Sequence, residues 1–332
     1  MARKDLGLVV LVMLIWGFNF SMIKMGVTDV DPLLVVAARF ALAVFPIIFF
    51  IPKPDVSWRY LFSYGVVFGV GVWGMASWSI TAGVSSGMTS VLLQSNVLFS
   101  ILVGVLVYKE SMSRNKAIGS VLAMAGLVIS IIGTQGNITP FGLALVLMAS
   151  ISWPIVSMIV KKANVKQVFA FNVWGMLFAP LPLVGLSIGL NGTDVLAQAY
   201  QAWDGSTTVA VLFQAYPTTL FGYWLWNRML LKYPMSTVVP LNLLVPVFGV
   251  LSGWLIYDEV LSVTQIAASC VFLAGILLIT LKPKAARTVP AKTDDDMAIY
   301  NKASYDKANN DRASYDEASC DKTSLAQAIA RD

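Results

Sequence analysis

The sequence predicts an all-α integral membrane protein of ten transmembrane helices, arranged as two inverted five-helix repeats. Three observations predict this fold. First, 57% of the 332 residues are hydrophobic and only 12% are charged, whereas a soluble domain carries about 25% charged residues. Second, the apolar residues fall into ten long runs. Third, a segment of the first half recurs in the second, and a repeat unit with an odd number of spans reverses its direction between the two copies.

Each apolar run has about the 20 residues that a helix needs to cross a bilayer core. Helices are preferred to strands because a spanning segment must satisfy its own backbone hydrogen bonds, and the runs are about twice as long as barrel strands. The predicted helices cover approximately residues 6–26, 32–52, 60–81, 89–108, 115–133, 138–160, 168–190, 208–230, 236–257 and 264–281.

Lys and Arg residues occur only in every second connection between these runs. The basic connections are 53–59, 109–116, 161–166, 228–232 and the segment after 281, together with the N-terminus. The other connections, 27–31, 82–86, 134–139, 191–205 and 258–262, carry neither Lys nor Arg. The positive-inside rule therefore predicts that both termini are cytoplasmic.

The internal repeat aligns residues 87–129 with residues 236–278 at a constant shift of 149, without a gap. Identical pairs include Leu92 and Leu241, Tyr108 and Tyr257, Glu110 and Glu259, and Gly126 and Gly275. Trp16 also precedes Lys24 by eight residues, as Trp153 precedes Lys161.

These matches predict a first repeat at 1–134 and a second, inverted repeat at 135–283. Residues 284–332 form a charged tail rich in Asp, Lys, Ser, Ala and Asn. We expect the tail to be disordered and cytoplasmic, because it cannot bury enough apolar area to offset chain entropy. A partner-binding role for it remains an alternative.

The composition argues against several classes of site. The chain has no histidine, which excludes histidine-based triads and His-dependent zinc sites, and we expect no catalytic residue, metal or cofactor. No Asp or Glu lies deep in a predicted span, which argues against a proton-carrying membrane carboxylate. The basic residues are scattered in short loops, so nucleic acid is not an expected partner.

Candidate substrate-binding residues are the polar and aromatic side chains within predicted helices. An unpaired amide in a membrane interior is costly, so these amides require either a partner on another helix or a wet cavity. Both possibilities remain open for each residue. The candidates are Trp16, Asn19, Trp73, Gln94, Asn96, Trp153, Ser157, Tyr223 and Asn242.

Arg39 is a further candidate because it lies seven residues into the second predicted helix, or about 10 Å at 1.5 Å per residue. A guanidinium at this depth needs carbonyls, water or a charged partner. It has two alternative roles: a structural tie between helix ends, or a bidentate partner for a substrate carboxylate.

Four segments of the chain resemble the EamA-type drug/metabolite transporter superfamily. They are RKDLGLVVLVMLIWGFNFSMIKMG at 3–26, AARF at 37–40, LLQSNVLFSILVGVLVYKE at 92–110 and PLNLLVPVFGVLSGWLIYDE at 240–259. The opening segment, Leu241 with Leu244, Val245 and Pro246, and Gly222-Tyr223 with Trp226 are most similar to the subgroup of bacterial exporters of cysteine and O-acetylserine. The charged tail departs from the family pattern.

This resemblance implies a non-enzymatic exporter of small metabolites in a bacterial inner membrane, with amino acids or derivatives such as cysteine and O-acetylserine as substrates. Alternating access would expose a central cavity lined by predicted helices one, three, four, six, eight and nine. Its partners would be the substrate and the lipid bilayer, and we expect a monomer or weak dimer. The alternatives are an exporter of drugs or other metabolites and, from a different class, a membrane receptor or scaffold acting through its tail.

Overall fold

The computed structural model describes residues 1–45, 47–109, 112–132, 138–233 and 235–280, and these residues contain helices but no β-strand. The ten principal helical segments are α1 (Arg3–Gly26), α2 (Pro32–Val44), α3 (Trp58–Thr81), α4 (Ser86–Leu106), α5 (Arg114–Ile132), α6 (Pro140–Ala163), α7 (Val168–Asn191), α8 (205–232), α9 (Val239–Tyr257) and α10 (Val263–Thr280). A short helix, Asp194–Ala202, lies between α7 and α8.

Eight helices within the described ranges are long and apolar enough to cross a membrane. They are α1, α2 extended to Phe49, α3, α4, α6, α7, α9 and α10. The all-helical membrane architecture is therefore confirmed, whereas membrane crossing by α5 and α8 stays a prediction. The predicted tail, 284–332, lies outside the described residues.

Helix α2 is shorter than the apolar run that predicted it. The run continues to residue 52, but the α-helix ends at Val44, and Phe45 has extended backbone angles of φ −95° and ψ 130°. Residue 46 is proline, whose ring disfavours the helical conformation of the preceding residue. Hydropathy alone therefore placed this helix end too late.

Four helices contain irregular turns. Helices α3 and α8 each contain a π-helical segment, at Val67–Gly74 and Gln214–Phe221. Helix α4 is interrupted between Leu93 and Asn96, and α9 begins with a 3₁₀ segment, Val239–Leu243. Such irregular turns redirect side chains and are frequent at functional sites, and non-helical backbone at membrane depth is tolerated where it lines a cavity.

Helices α5 and α10 pack along each other with very close backbones. A Cβ atom built on Gly126 would lie 2.4 Å from the backbone nitrogen of Phe272, and one on Gly275 would lie 2.4 Å from that of Ala123. No side chain fits at these distances, so the two glycines allow the observed helix separation. Elsewhere α1 packs on α9, α9 on the first half of α4, α2 on α7, and α3 on α6.

Candidate functional site

A cavity of about 220 Å³ lies between α1, α3, α4, α6, α8 and α9. Its lining residues are Trp16, Asn19, Phe20, Trp73, Ser90, Leu93, Gln94, Asn96, Trp153, Thr218, Tyr223, Trp226, Asn242 and Val245. Eight of the nine candidate substrate-binding residues are thus brought together. The exception is Ser157, which is exposed and donates a hydrogen bond to the Trp153 carbonyl at 3.1 Å.

One wall of the cavity is an aromatic cluster around Trp16. Its ring centroid lies 5.4 Å from that of Tyr223 and 5.5 Å from that of Trp226, and Trp16 Nε1 donates a hydrogen bond to the Thr218 carbonyl at 3.0 Å. A Cβ atom on Gly222 would lie 2.4 Å from Trp16 Nε1. Glycine at this position therefore makes room for the indole.

The facing aromatic cluster comes from α3 and α6. Trp73 and Trp153 meet edge to face at 6.4 Å, and Phe68 contacts both rings at 6.4 and 5.6 Å. The π-helical segment of α3 ends just after Trp73, and Pro154 follows Trp153 within α6. Aromatic faces attract cations through the ring quadrupole, so this wall offers a surface for an ammonium group.

The irregular turns of α4 and α9 bring amide side chains to the cavity. Gln94 lies in the interruption of α4, and Asn242 lies in the 3₁₀ segment of α9. Within the described ranges, neither side chain hydrogen-bonds to another residue. Asn96 differs, because its Nδ2 donates to the Leu93 carbonyl at 2.7 Å and stabilises the interruption.

Three further wall residues carry buried polar atoms without partners among the described residues, and one of these atoms is Nε1 of Trp73. Asn19 is completely buried, yet neither its Oδ1 nor its Nδ2 is hydrogen-bonded. The hydroxyl of Thr218, which is 2% exposed, is also unpaired. Buried polar groups are nearly always hydrogen-bonded, so unpaired ones in a cavity wall indicate a place where a ligand can bind.

Arg39 lies behind the wall of the cavity rather than in it. Its guanidinium is completely buried, and Cζ lies 4.3 Å from the centre of the Trp73 ring. Nε and Nη2 donate to the hydroxyl of Thr219 at 3.2 and 3.0 Å, whereas Nη1 has no partner in the described structure. Arg39 therefore ties α2 to α8 inside the bundle, not at the helix ends, and places a positive charge against a lining residue.

The selection of candidates omitted six lining residues. Three of these, Phe20, Leu93 and Val245, are apolar side chains that nothing in the sequence distinguishes from the core. Ser90 and Thr218 are small hydroxyl residues, which commonly bond to their own helix. Trp226 follows Tyr223 by three residues and therefore shares its helix face, a signal that could have found it.

At one end of the bundle, Glu259 connects α1, α4 and α9. Its carboxylate pairs with Lys24 Nζ at 2.8 Å and accepts hydrogen bonds from the backbone N–H groups of Ser86 and Gly87, both at 3.0 Å. These two N–H groups begin α4, where the helix dipole favours a negative charge. Asp258, with φ +50°, turns the chain towards this position.

The environment of Glu259 keeps it ionised near neutral pH. Burial raises the pKa of its carboxyl, but hydrogen bonds from Lys24 and from the N–H groups of Gly87 and Ser86 outweigh burial and hold the pKa below its usual value. The ionised carboxylate therefore holds α1, the start of α4 and the end of α9 together.

We expect Glu259→Gln to destabilise the protein at pH 7 by about 1–3 kcal/mol, because charge-assisted hydrogen bonds are lost. The folded-state pKa lies below the unfolded one, so the stabilisation is complete above the unfolded carboxyl pKa. It is lost as the pH falls through the folded pKa. Thermal unfolding of both forms across pH 3–7 should therefore converge at the acidic end.

Asp258→Asn is the matched control, since this exposed neighbour loses the same charge, and Asn tolerates the left-handed conformation. A constant difference between Glu259→Gln and the wild type at every pH would contradict the assigned role of the ionised carboxylate.

Comparison with known proteins agrees with this architecture. The model of the EamA-like transporter family matches residues 4–132 and 140–281. A protein of Salmonella typhimurium described as a probable amino-acid metabolite efflux pump is 33% identical over 284 residues, covering 84% of this chain and 95% of the relative. An Escherichia coli protein with the same description is 30% identical over 284 residues, which again cover 84% of this chain and 95% of the relative.

A solved crystal structure shares the fold, with a TM-score of 0.58 at 16% identity, covering 87% of this chain and 100% of that one. The family match includes all six helices that form the cavity, apart from the first residue of α1. The chain is a multi-pass membrane protein that belongs to the EamA-like transporter family.

Proposed function

We propose that this protein exports small amino-acid metabolites, such as cysteine or O-acetylserine, by alternating access through the cavity between its six lining helices. The observation that carries the proposal is the lining itself, in which unpaired amides and aromatic faces converge. Amides can hold a carboxylate by hydrogen bonds, and aromatic faces can hold an ammonium. A zwitterion uses both kinds of surface.

The size of the cavity favours a metabolite over a drug. Pockets that bury drug-sized ligands measure roughly 300–1,000 Å³, and this cavity measures about 220 Å³. The relatives described as probable amino-acid metabolite efflux pumps support the same substrate class.

We further propose that 1–134 and 135–283 are inverted repeats, each with five membrane helices. Local irregularities that recur at equivalent positions support this. The π-helical segments of α3 and α8 correspond, and so do the interruption of α4 and the 3₁₀ segment of α9. Lys109 and Asp258, which are 149 residues apart, both adopt positive φ, at +54° and +50°.

The opposite direction of the two copies has separate support from two lysine–tyrosine contacts. Lys24 lies 4.3 Å from the centre of the Tyr257 ring, and Lys161 lies 3.8 Å from that of Tyr108. The first contact adjoins Glu259 and the start of α4, whereas Tyr108 follows the end of α4. Equivalent contacts are therefore separated by the length of one helix, about 30 Å for 21 residues, as inversion requires.

The proposed location is a bacterial inner membrane with both termini in the cytoplasm, motivated by the distribution of Lys and Arg. In intact cells, an impermeant thiol reagent should label Ser206→Cys, whereas Lys166→Cys should react only after permeabilisation. A cysteine-free background is required because Cys270 is exposed. The reverse labelling pattern would overturn the proposed orientation.

Counterflow in proteoliposomes tests the proposed activity. Vesicles loaded with L-cysteine or O-acetyl-L-serine should accumulate the same compound in labelled form from outside. Vesicles loaded with an amphipathic cation should not accumulate the labelled cation. Deletion of 285–332 should leave this activity unchanged, which separates an exporter from a receptor or scaffold acting through the tail. Counterflow of the cations alone would favour the drug-exporter alternative.

A further inference from the structure

The charge balance around the cavity is unusual. The residues that line the cavity include no Asp, Glu, Lys or Arg. The guanidinium of Arg39 nevertheless lies directly behind Trp73. Arg39 forms no ion pair with any described acid: the carboxylates of Glu259 and Asp5 pair with Lys24 and Lys232. A guanidinium keeps its positive charge at neutral pH, so this charge is buried without a counterion among the described residues.

Unpaired polar atoms lie on both π-helical segments that contact Arg39. Nη1 of Arg39 has no partner among the described residues, and Trp73 and Thr218 lie on the two π-helical segments next to it. Thr219, which accepts both of the guanidinium's hydrogen bonds, adjoins Thr218. The unpaired Nδ2 of Asn19 and hydroxyl of Thr218 are both capable of donating to a bound anion.

We propose that the part of the cavity bounded by Asn19, Trp73 and Thr218 is a carboxylate subsite, with Arg39 supplying the compensating charge. This inference rests on the proposed export function and narrows it to substrates that carry a free carboxylate. Asn19 and Thr218 donate to the carboxylate, and Arg39 acts from behind Trp73 as a positioning and charge-selecting residue. Because the dielectric constant of the protein interior is low, the positive charge of Arg39 attracts a carboxylate on the other side of the Trp73 ring.

The same arrangement selects against cations. A ligand that carries an ammonium but no carboxylate would bring a second positive charge close to Arg39, with no acid in the wall to offset it. The ammonium of a zwitterion is instead held by the aromatic faces of Trp16 and Trp153. Thus a single buried guanidinium distinguishes amino acids from amphipathic cations of similar size.

The test compares L-cysteine with L-cysteinamide, which keeps the ammonium and thiol but lacks the carboxylate. Equilibrium binding of both to the purified full chain should show at least tenfold tighter binding of L-cysteine by the wild type. Arg39→Gln should reduce this preference at least tenfold, and Arg39→Lys should retain most of it. A tenfold change corresponds to about 1.4 kcal/mol, which the attraction of one buried charge across an aromatic ring can supply.

The ratio of the two affinities does not depend on the fraction of folded protein, so a purely structural role for Arg39 would leave it unchanged. Thr218→Val provides a second variant, which keeps Arg39 and its contact with Thr219, and it should weaken L-cysteine binding more than L-cysteinamide binding.

Equal binding of the two compounds by the wild type would overturn the carboxylate subsite while leaving amino-acid export intact. An unchanged preference in both Arg39→Gln and Thr218→Val would also overturn it. Failure of the wild type to bind either compound, together with an absence of amino-acid counterflow, would instead overturn the proposed function and this inference with it.

Discussion

Gly126→Ala is expected to prevent normal packing of the protein, with a loss of at least about 3 kcal/mol of stability. A methyl group at this position would lie 2.4 Å from the backbone nitrogen of Phe272, and a backbone atom cannot rotate away as a side chain can. Helices α5 and α10 must therefore separate, which loses contacts along their whole interface at a cost at or above the upper end of typical overpacking. Yield of monodisperse protein and thermal unfolding in detergent measure the effect.

Gly275→Ala should behave in the same way, since its methyl group would lie 2.4 Å from the backbone nitrogen of Ala123. The matched control is Gly185→Ala on α7, where no atom lies within 4 Å and alanine improves helix propensity. Unfolding temperatures for Gly126→Ala and Gly275→Ala equal to that of Gly185→Ala would show that α5 and α10 are not packed as described.

Long apolar runs predicted the approximate positions of the eight helices that can cross a membrane within the described residues, because lipid requires each spanning segment to satisfy its own backbone. The helix interruptions were harder to predict. Gln94 and Ser95 interrupt α4 within an otherwise apolar run, and the π-helical segment of α3 contains three glycines and no proline. These irregularities depend on contacts with other helices, which a hydropathy pattern does not contain.

The candidate site was partly predictable for a similar physical reason. Amides such as Asn19 and Gln94 are costly in a membrane interior, so their presence indicates a cavity or a partner. The role of Lys24 was not predictable in this way. A lysine near a helix end usually extends to the interface, whereas here it pairs with Glu259, which is 235 residues away. Only the fold brings these residues together.

Gln94→Ala and Asn242→Ala are each expected to weaken substrate binding by roughly 5- to 150-fold, the effect of losing one desolvated polar contact. Neither amide hydrogen-bonds to another residue in the described part of the chain, so the loss of stability should be small. This combination distinguishes a ligand-binding role from hydrogen bonding between helices. In the latter case, stability would fall and affinity would not.

The dissociation constants of L-cysteine and O-acetyl-L-serine for these variants test most directly whether one cavity between the two halves binds the exported metabolite. Ser157→Ala is the control, because Ser157 lies on a cavity-lining helix but faces away from the cavity. We expect weaker binding for Gln94→Ala and Asn242→Ala at unchanged unfolding temperature, with wild-type affinity for Ser157→Ala. Wild-type affinity in all three variants would show that this cavity does not bind the metabolite.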